Sequence, residues 1–262
     1  MPSTHAQTDQ SLRGEIALIH ARSRRTYGSP RVRQQLRKQG RQIGRRRVAR
    51  LMRQSALVGR SRSRRKPRTT DSRHGGPIAA NLLREKPLVS KIDQIWVTDI
   101  TYIPTEEGFL YVAALLDLHS RRIVGWACSN NLETTLCANA LTNALRHRRP
   151  TSKLIHHSDR GVQYASLEYR QSLAKAGLSR SMSRKGNCYD NAFIESFWST
   201  LKTECTARRT FAKRADAELA IFDYIETFYN PIRLHSSLGY RSPRDFENAP
   251  PEPTTFPRQA SK

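Results

Sequence analysis

The 262-residue sequence has no long hydrophobic run, few cysteines and few acidic residues. Its longest uninterrupted apolar segment, 109–116, has eight residues, whereas a membrane-spanning helix needs roughly 20. The first residues likewise contain no apolar stretch of signal-peptide length. We therefore expect a protein without a membrane span and without a secretory signal.

The cysteines form no Cys-x-x-Cys pair; they are Cys128, Cys137, Cys188 and Cys205. This spacing argues against a zinc ribbon and against a disulfide framework, and it predicts reduced thiols in a cytoplasmic protein. The chain is long enough to bury a hydrophobic core without such crosslinks. At about 150 residues per domain, the length predicts one or two domains.

Basic charge is what the sequence has in excess. Lys and Arg number 46 and Asp and Glu number 22, which gives a net charge of +24. Residues 1–90 carry 23 of the basic residues and only four of the acidic ones. Because self-repulsion opposes a compact state, a charge of this size predicts a polyanionic partner. The asymmetry predicts two units with different roles.

The first unit, residues 1–58, is predicted to be helical. Ser29 and Pro30 suit an N-cap and a first helical position, and Gly40 suits a helix end. A further helix has an apolar stripe surrounded by arginines, among them Arg45, Arg46, Arg47 and Arg50. Two short helices joined by a tight turn favour a helix-turn-helix DNA reader; a small bundle with a solvated basic face is the alternative. Residues 59–90 are predicted to be a basic linker that binds phosphate non-specifically.

The second unit begins near residue 91 and reads as an α/β fold. β-branched and aromatic runs predict strands over 95–103, 109–118, 123–128, 153–157 and 178–182. Apolar periodicity predicts helices over 132–146, 167–176, 191–204 and 215–229. The order βββαβαβα predicts a ribonuclease H-like mixed five-stranded sheet flanked by helices. In the last helix, Tyr224, Phe228 and Tyr229 are interpreted as core.

Three acidic residues could meet at one edge of this sheet. Asp99 lies in mid-strand, where a carboxylate is costly to bury unless it is paired or bound to metal. Asp159 directly follows a strand, and Glu195 shares a helix face with Lys202. Such oxygen ligands select Mg²⁺ or Mn²⁺, and two ions can assist a phosphoryl displacement. Taken singly, Asp99 could pair with an arginine, Asp159 could be a turn residue and Glu195 could be a solvated helix residue.

A few further positions have weaker signals. His156 and His157 are adjacent in a strand and point to opposite faces, so they do not easily share one ion, although one could orient the site. Residues 183–187 form a polar loop in which Arg184 and Lys185 could contact DNA; a mobile surface loop is the alternative. Lys202 is expected to contact phosphate rather than to be only solvated.

Longer motifs carry a family resemblance. They are YGSPRVRQQLRKQG, WVTDITYI, LDLHSRRIVGWA, LIHHSDRGVQYAS, SMSRKGNCYDNAFIESFWSTLK and YIETFYNPIRLHSSLGYRSP. From about Ser23 to Glu247, the chain resembles the OrfB-type insertion-sequence transposases, which are relatives of the retroviral integrases. The resemblance implies an integrase-like catalytic core over 91–210 and a C-terminal helix and tail over 211–262. It also implies a DDE triad, which falls on Asp99, Asp159 and Glu195 and holds two Mg²⁺ or Mn²⁺ ions.

The resulting expectation is a DNA transposase that cleaves strands and joins them to a target. Expected partners are transposon ends and target DNA, further copies of the chain on DNA, and an upstream A-frame product as fusion or partner. The expected location is the cytoplasm, at the nucleoid. The predicted DNA contacts are Arg45, Arg46, Arg47, Arg50, Arg184, Lys185 and Lys202. The alternatives are a ribonuclease H-like nuclease without strand transfer and a non-catalytic DNA-binding regulator.

Overall fold

The structure, a computed structural model, describes residues 4–61, 77–84, 89–151, 153–183, 191–207 and 209–249. Arg184, Lys185, Cys188 and much of the predicted linker lie outside these ranges. Among the described helices, none combines the length and the apolar character needed to cross a membrane.

Three helices form the N-terminal region: α1 (Thr4–Arg22), α2 (Ser29–Lys38) and α3 (Arg45–Gln54). The apolar stripe of α3 is buried, as predicted, together with Val32 and Leu36 of α2, and α1 contributes Leu12, Ile16 and Ile19 to the same cluster. The predicted N-cap was wrong by one residue. Gly28 occupies that position without a side-chain hydrogen bond, because Ser29 already has helical geometry ahead of Pro30.

A mixed five-stranded sheet follows, as predicted. Its strands are β1 (Ile95–Thr105), β2 (Gly108–Asp117), β3 (Ile123–Ser129), β4 (Ile155–Ser158) and β5 (Ser179–Met182). Their spatial order is β3-β2-β1-β4-β5. The first three strands form an antiparallel meander, β4 pairs parallel to β1, and β5 pairs parallel to β4.

The remaining helices flank the sheet. They are α4 (Thr134–His147), α5 (Val162–Ala165), α6 (Leu167–Lys175), α7 (Ala192–Leu201), α8 (Arg214–Phe222) and α9 (Pro243–Glu247). The predicted continuous helices over 191–204 and 215–229 were wrong in their second parts. There the chain is π-helical, over Lys202–Thr206 and Asp223–Tyr229. A 3₁₀ turn spans Ser236–Leu238.

Each face of the sheet has its own apolar core. Trp96, Leu115 and Val124 pack on the face that α4 and α6 cover. Gly125 allows α4 to approach β3 closely, since a Cβ there would lie 2.5 Å from the Ala140 carbonyl oxygen. The opposite face packs against α7 and α8, and the same apolar cluster extends to the N-terminal helices and the C-terminal segment.

The N-terminal helices are joined to the C-terminal segment by polar contacts. The Tyr27 hydroxyl donates to the Ile232 carbonyl at 3.2 Å and accepts from the Leu234 amide at 2.8 Å. Arg24 pairs with Asp223 at 2.6 Å. The predicted core residues of the last helix, Tyr224, Phe228 and Tyr229, are buried between these groups.

Candidate active site

Strand register places the two aspartates side by side. Parallel β1 and β4 pair Val97 with His157. Asp99 and Asp159 each follow two residues later, so they reach the same level at the end of β4. Both line a cleft of about 100 Å³.

The loop after β4 closes around the second aspartate. Asp159 Oδ1 accepts a hydrogen bond from the Gly161 amide at 2.9 Å. A Cβ at Gly161 would lie only 3.0 Å from that oxygen, so glycine permits the close approach. Asp159 is therefore a turn residue and also faces the cleft; the two interpretations are compatible.

Helix α7 brings Glu195 to the same place. Trp198, one turn after Glu195, donates from Nε1 to Asp99 Oδ2 at 3.1 Å. Burial raises the pKa of Asp99 to about 8, and the negative charges of Asp159 and then Glu195 contribute to this shift. The Ile100 amide and the Trp198 indole oppose the shift, because they stabilise the carboxylate.

Asp99, Asp159 and Glu195 form a cluster of acidic side chains whose charges act on one another. Within the described ranges, no three His, Cys, Asp or Glu side chains already stand close enough to enclose a metal ion. The charges of Asp159 and Glu195 do, however, raise the pKa of Asp99, and a divalent cation stabilises an acidic cluster of this kind. The donor set is all oxygen, which suits a hard cation.

Lys202 lies on the same side of the sheet. Its Nζ is 5.0 Å from the centroid of the Tyr102 ring, and Tyr102 lines the cleft of Asp99. Burial lowers the pKa of Lys202, and the negative charge of Asp99 opposes this effect. The π-helical turn after α7 thus keeps a cation next to the carboxylates.

The predicted arginines of α3 divide into two groups. Arg45 and Arg46 are exposed at the start of the helix. Arg47 and Arg50 instead pair with Asp9 of α1, each at 2.7 Å. Hydrogen bonds from Arg50 and then Arg47 lower the pKa of Asp9 to about 2. This pair of contacts holds α1 against α3, and the sequence pattern does not predict it.

The adjacent histidines are buried and point away from each other. His156 Nε2 lies 2.9 Å from the Tyr169 hydroxyl of α6, and His157 Nδ1 lies 2.8 Å from Ser181 Oγ of β5. Burial lowers the pKa of His156 to about 3, so this ring is neutral. These contacts link β4 to α6 and to β5.

Sequence reasoning missed Trp198 as part of the site. The available signal was its position three residues after Glu195, which places both side chains on one helix face. The apolar pattern assigns Trp198 to packing alone. It does pack, with its ring centroid 4.8 Å from that of Phe197, but its N–H group also contacts the aspartate.

Family models match most of the chain. Two descriptions of an integrase core domain match residues 90–188 and 176–243, and an HTH-like domain matches residues 7–66. Together with the mixed sheet and the cleft, they define a DDE-type polynucleotidyl transferase preceded by a helix-turn-helix-like region.

Curated relatives extend over the same length. The 31 kDa protein of insertion element IS600 from Shigella sonnei is 46% identical and covers 94% of this chain and 90% of its own. Transposase InsF of IS3A from Escherichia coli is 40% identical, covering 94% and 85%. The IS904 transposase of Lactococcus lactis is 38% identical, covering 94% and 97%. The chain belongs to the family of insertion-sequence transposases, which confirms the resemblance found in the sequence.

A solved structure shows the same fold over most of the chain. A chain of the simian T-cell lymphotropic virus intasome, solved with a regulatory subunit of PP2A, aligns with a TM-score of 0.51. The alignment covers 94% of this chain and 80% of that chain at 14% identity. The integrase-like architecture is therefore present. DDE domains of this kind generally use divalent metal ions.

Proposed function

We propose that Asp99, Asp159 and Glu195 are the DDE triad and that together they hold two Mg²⁺ or Mn²⁺ ions. The observation that carries this proposal is the register of β1 and β4, which brings Asp99 and Asp159 to the same level in one cleft. Burial and the charges of Asp159 and Glu195 raise the pKa of Asp99, which supports the proposal. Two divalent ions, when bound, would activate the attacking oxygen and stabilise the leaving one. In this role Trp198 orients Asp99, and Lys202 contacts a nearby phosphate.

The reaction proposed is cleavage followed by joining. A water oxygen forms a bond to phosphorus at the transposon end, the bond to the 3′ oxygen breaks, and that oxygen leaves with a proton as a 3′ hydroxyl. The hydroxyl oxygen then forms a bond to a target phosphorus and releases the target's own 3′ oxygen. The first step hydrolyses one phosphodiester and the second exchanges one for another, so no oxidant or energy donor is needed.

The remaining predictions belong to the same proposal. We infer that residues 1–58 read DNA and that 59–90 connect this unit to a catalytic core over 91–210, followed by the C-terminal residues 211–262. Arg45 and Arg46 are exposed, which supports DNA contacts by these side chains; contacts by Arg184 and Lys185 remain predictions outside the described residues. Further copies on DNA, an upstream A-frame product and a location at the nucleoid complete the proposal.

The test is a set of charge-removing substitutions of similar volume. Asp99→Asn, Asp159→Asn and Glu195→Gln should each reduce cleavage and joining of an end-containing duplex below a tenth of wild type. Affinity for that duplex should change little. Glu168→Gln, at an exposed position of α6, is the matched control and should remain active. The assay is run with and without the A-frame product.

Metal dependence is the second arm of the test. Activity should require Mg²⁺ or Mn²⁺ and fail with EDTA or with Ca²⁺ alone, because Ca²⁺ adopts longer and looser coordination. A triad variant with more than a tenth of wild-type joining would overturn the assignment. Cleavage without joining by the wild type would favour the nuclease alternative.

A further inference from the structure

A second cavity lies on another flank of α7. Its volume is about 250 Å³. Whereas Trp198 of α7 donates to Asp99, Phe193 and Ser196 of the same helix line this cavity. It is also lined by three arginines that come from distant parts of the chain, namely Arg31 of α2, Arg121 of the β2–β3 turn and Arg233 of the C-terminal segment. We call it the arginine cavity.

Positive charge exceeds negative charge around the arginine cavity. Glu204 is the acidic side chain beside it, and it forms a bidentate pair with Arg233 at 2.7 and 2.8 Å. Arg31 lies 3.9 Å from the same carboxylate. Arg121 forms no ion pair with any carboxylate in the described ranges. One carboxylate therefore serves two of the three guanidinium groups, and Arg121 has only the charge of Asp117 nearby among the described carboxylates, without a direct ion pair.

Arg121 is held in place and presents an unused donor. Its guanidinium carbon lies 3.8 Å from the centroid of the Phe193 ring, a stacking contact that fixes the plane of the group. Its Nη1 atom is buried and has no acceptor within the described part of the chain. A buried N–H group without an acceptor is unfavourable, so the position favours an incoming anion that supplies one.

The pKa of the neighbouring His235 is affected by the same positive charges. Burial lowers its pKa, and the charges of Arg233, Arg31 and Arg121 lower it further. The ring therefore stays neutral beside the three guanidinium groups and adds no charge. At the rim, Ser236 and Ser237 are exposed hydroxyl residues that line the arginine cavity and can donate further hydrogen bonds.

A phosphate group matches these features. Its oxygens accept several hydrogen bonds, and a guanidinium group can bind two of them at once. We propose that the arginine cavity binds one backbone phosphate of DNA, with Arg121 as the principal donor and the two serine hydroxyls at the rim. The proposal rests on DNA being the substrate, and it adds a contact that is separate from the carboxylate cleft.

The test pairs one side chain with one phosphate. The full chain, as wild type and as Arg121→Gln, is titrated with duplexes that each carry a single neutral methylphosphonate at a different position. At one position the methylphosphonate should weaken wild-type binding at least fivefold and leave Arg121→Gln binding unchanged. Arg121→Gln should also reduce the slope of log affinity against log salt by roughly 0.9, the value for one phosphate.

Controls separate this contact from general charge and from misfolding. Arg146→Gln removes the same charge from an exposed position of α4 and should keep the wild-type methylphosphonate pattern. Arg121→Lys keeps the charge but loses the planar guanidinium with its paired donors, so its loss of DNA affinity should be intermediate. A double variant, Ser236→Ala with Ser237→Ala, should weaken the same position. Thermal unfolding of each variant verifies the fold.

Three outcomes would overturn the proposal, and each is distinguishable. If the affinity lost through the methylphosphonate and the affinity lost through Arg121→Gln add up at every position, Arg121 contacts no phosphate of the duplex. If losses are additive but inorganic phosphate raises the melting temperature of wild type more than that of Arg121→Gln, the arginine cavity binds a free anion instead of DNA. If wild type itself fails to bind duplex, the proposed function fails at the same time, and the unsubstituted chain alone shows it.

Discussion

The indole Nε1 of Trp198 donates a hydrogen bond of 3.1 Å to Oδ2 of Asp99. The bond joins α7 to the middle of β1, the two elements that carry Glu195 and Asp99. Because an indole N–H can only donate, it stabilises the charged carboxylate and fixes which oxygen remains available to a metal ion. Trp198 therefore acts as a positioning residue for the proposed triad.

Loss of this donor should weaken the apparent affinity for Mg²⁺ more than it lowers the maximal rate of cleavage. Trp198→Phe keeps an aromatic ring against Phe197 and removes only the N–H group. A net hydrogen bond contributes about 1 kcal/mol, so we expect the Mg²⁺ concentration for half-maximal cleavage to rise about fivefold, with most of the rate restored at saturating Mg²⁺. Trp126→Phe is the matched control, since that indole donates to Glu226 on an exposed surface. An unchanged Mg²⁺ requirement in Trp198→Phe would contradict the positioning role.

Without metal, Asp99 should make the fold less stable as pH rises. Its pKa is about 8 in the folded chain, against an ordinary value of 3.8 for an aspartate in water. Between about pH 4 and pH 8, the folded state keeps a proton that the unfolded state has lost, so stability falls through this window. Asp99→Asn removes the titration and should exceed wild type in unfolding free energy at pH 8 by at least about 1.4 kcal/mol, the equivalent of one pKa unit.

Denaturant unfolding in EDTA at several pH values measures this difference. The advantage of Asp99→Asn should shrink toward pH 4, where the unfolded wild-type chain also begins to bind the proton. Added Mg²⁺ should stabilise wild type and not the variant. A difference that stays constant from pH 4 to pH 8 would show that the Asp99 carboxyl is not the responsible group.

The exposed arginines of α3 should contribute to the salt dependence of DNA binding. Each phosphate contact adds roughly 0.9 to the slope of log affinity against log salt, so Arg45→Gln combined with Arg46→Gln should flatten the slope by about 1.8. The control is Arg146→Gln combined with Arg149→Gln; both residues are exposed and close to the end of α4. Equal slopes for both double variants would mean that α3 does not contact the backbone.

Close packing at Gly125 gives a stability prediction. A Cβ at this position would meet the Ala140 oxygen and the Ala144 nitrogen at 2.5 Å. Gly125→Ala should destabilise the fold by about 2 kcal/mol, as overpacked cores do. Gly14→Ala is the control: no atom lies within 4 Å of its Cβ position in α1, and alanine there should stabilise by about 0.5–1 kcal/mol. Urea unfolding of both variants measures the difference, and a loss of less than about 0.5 kcal/mol in Gly125→Ala would refute it.

The strands and helices could be predicted where local pattern decides them. The β-branched run of β1 and the tight turns on either side of β2 fixed the meander to within two residues, because these signals are local. The π-helical segments Lys202–Thr206 and Asp223–Tyr229 could not be predicted, because their apolar spacing is compatible with an ordinary α-helix. What distinguishes them is packing against the rest of the molecule.

Contacts between residues distant in the sequence were the main feature that could not be predicted. The pairing of Asp9 with Arg47 and Arg50 was not expected, because a helical pattern does not reveal which face a neighbouring helix covers. DNA contacts by these two arginines stay predictions. Arg121 lies in a short turn within the motif LDLHSRRIVGWA, and that motif gave it no role. Its place beside Arg31 and Arg233 exists only after three separated segments meet.

The contacts of Tyr27 with the Ile232 carbonyl and the Leu234 amide have a consequence for damaged copies of the gene. A stop codon after the catalytic core would remove both partners of Tyr27 and expose the apolar side of the N-terminal helices. We expect such a fragment to be degraded instead of persisting on transposon ends. A broken copy would then produce no inhibitor of intact copies in the same cell, and the transposition frequency of an intact copy should be the same with or without it.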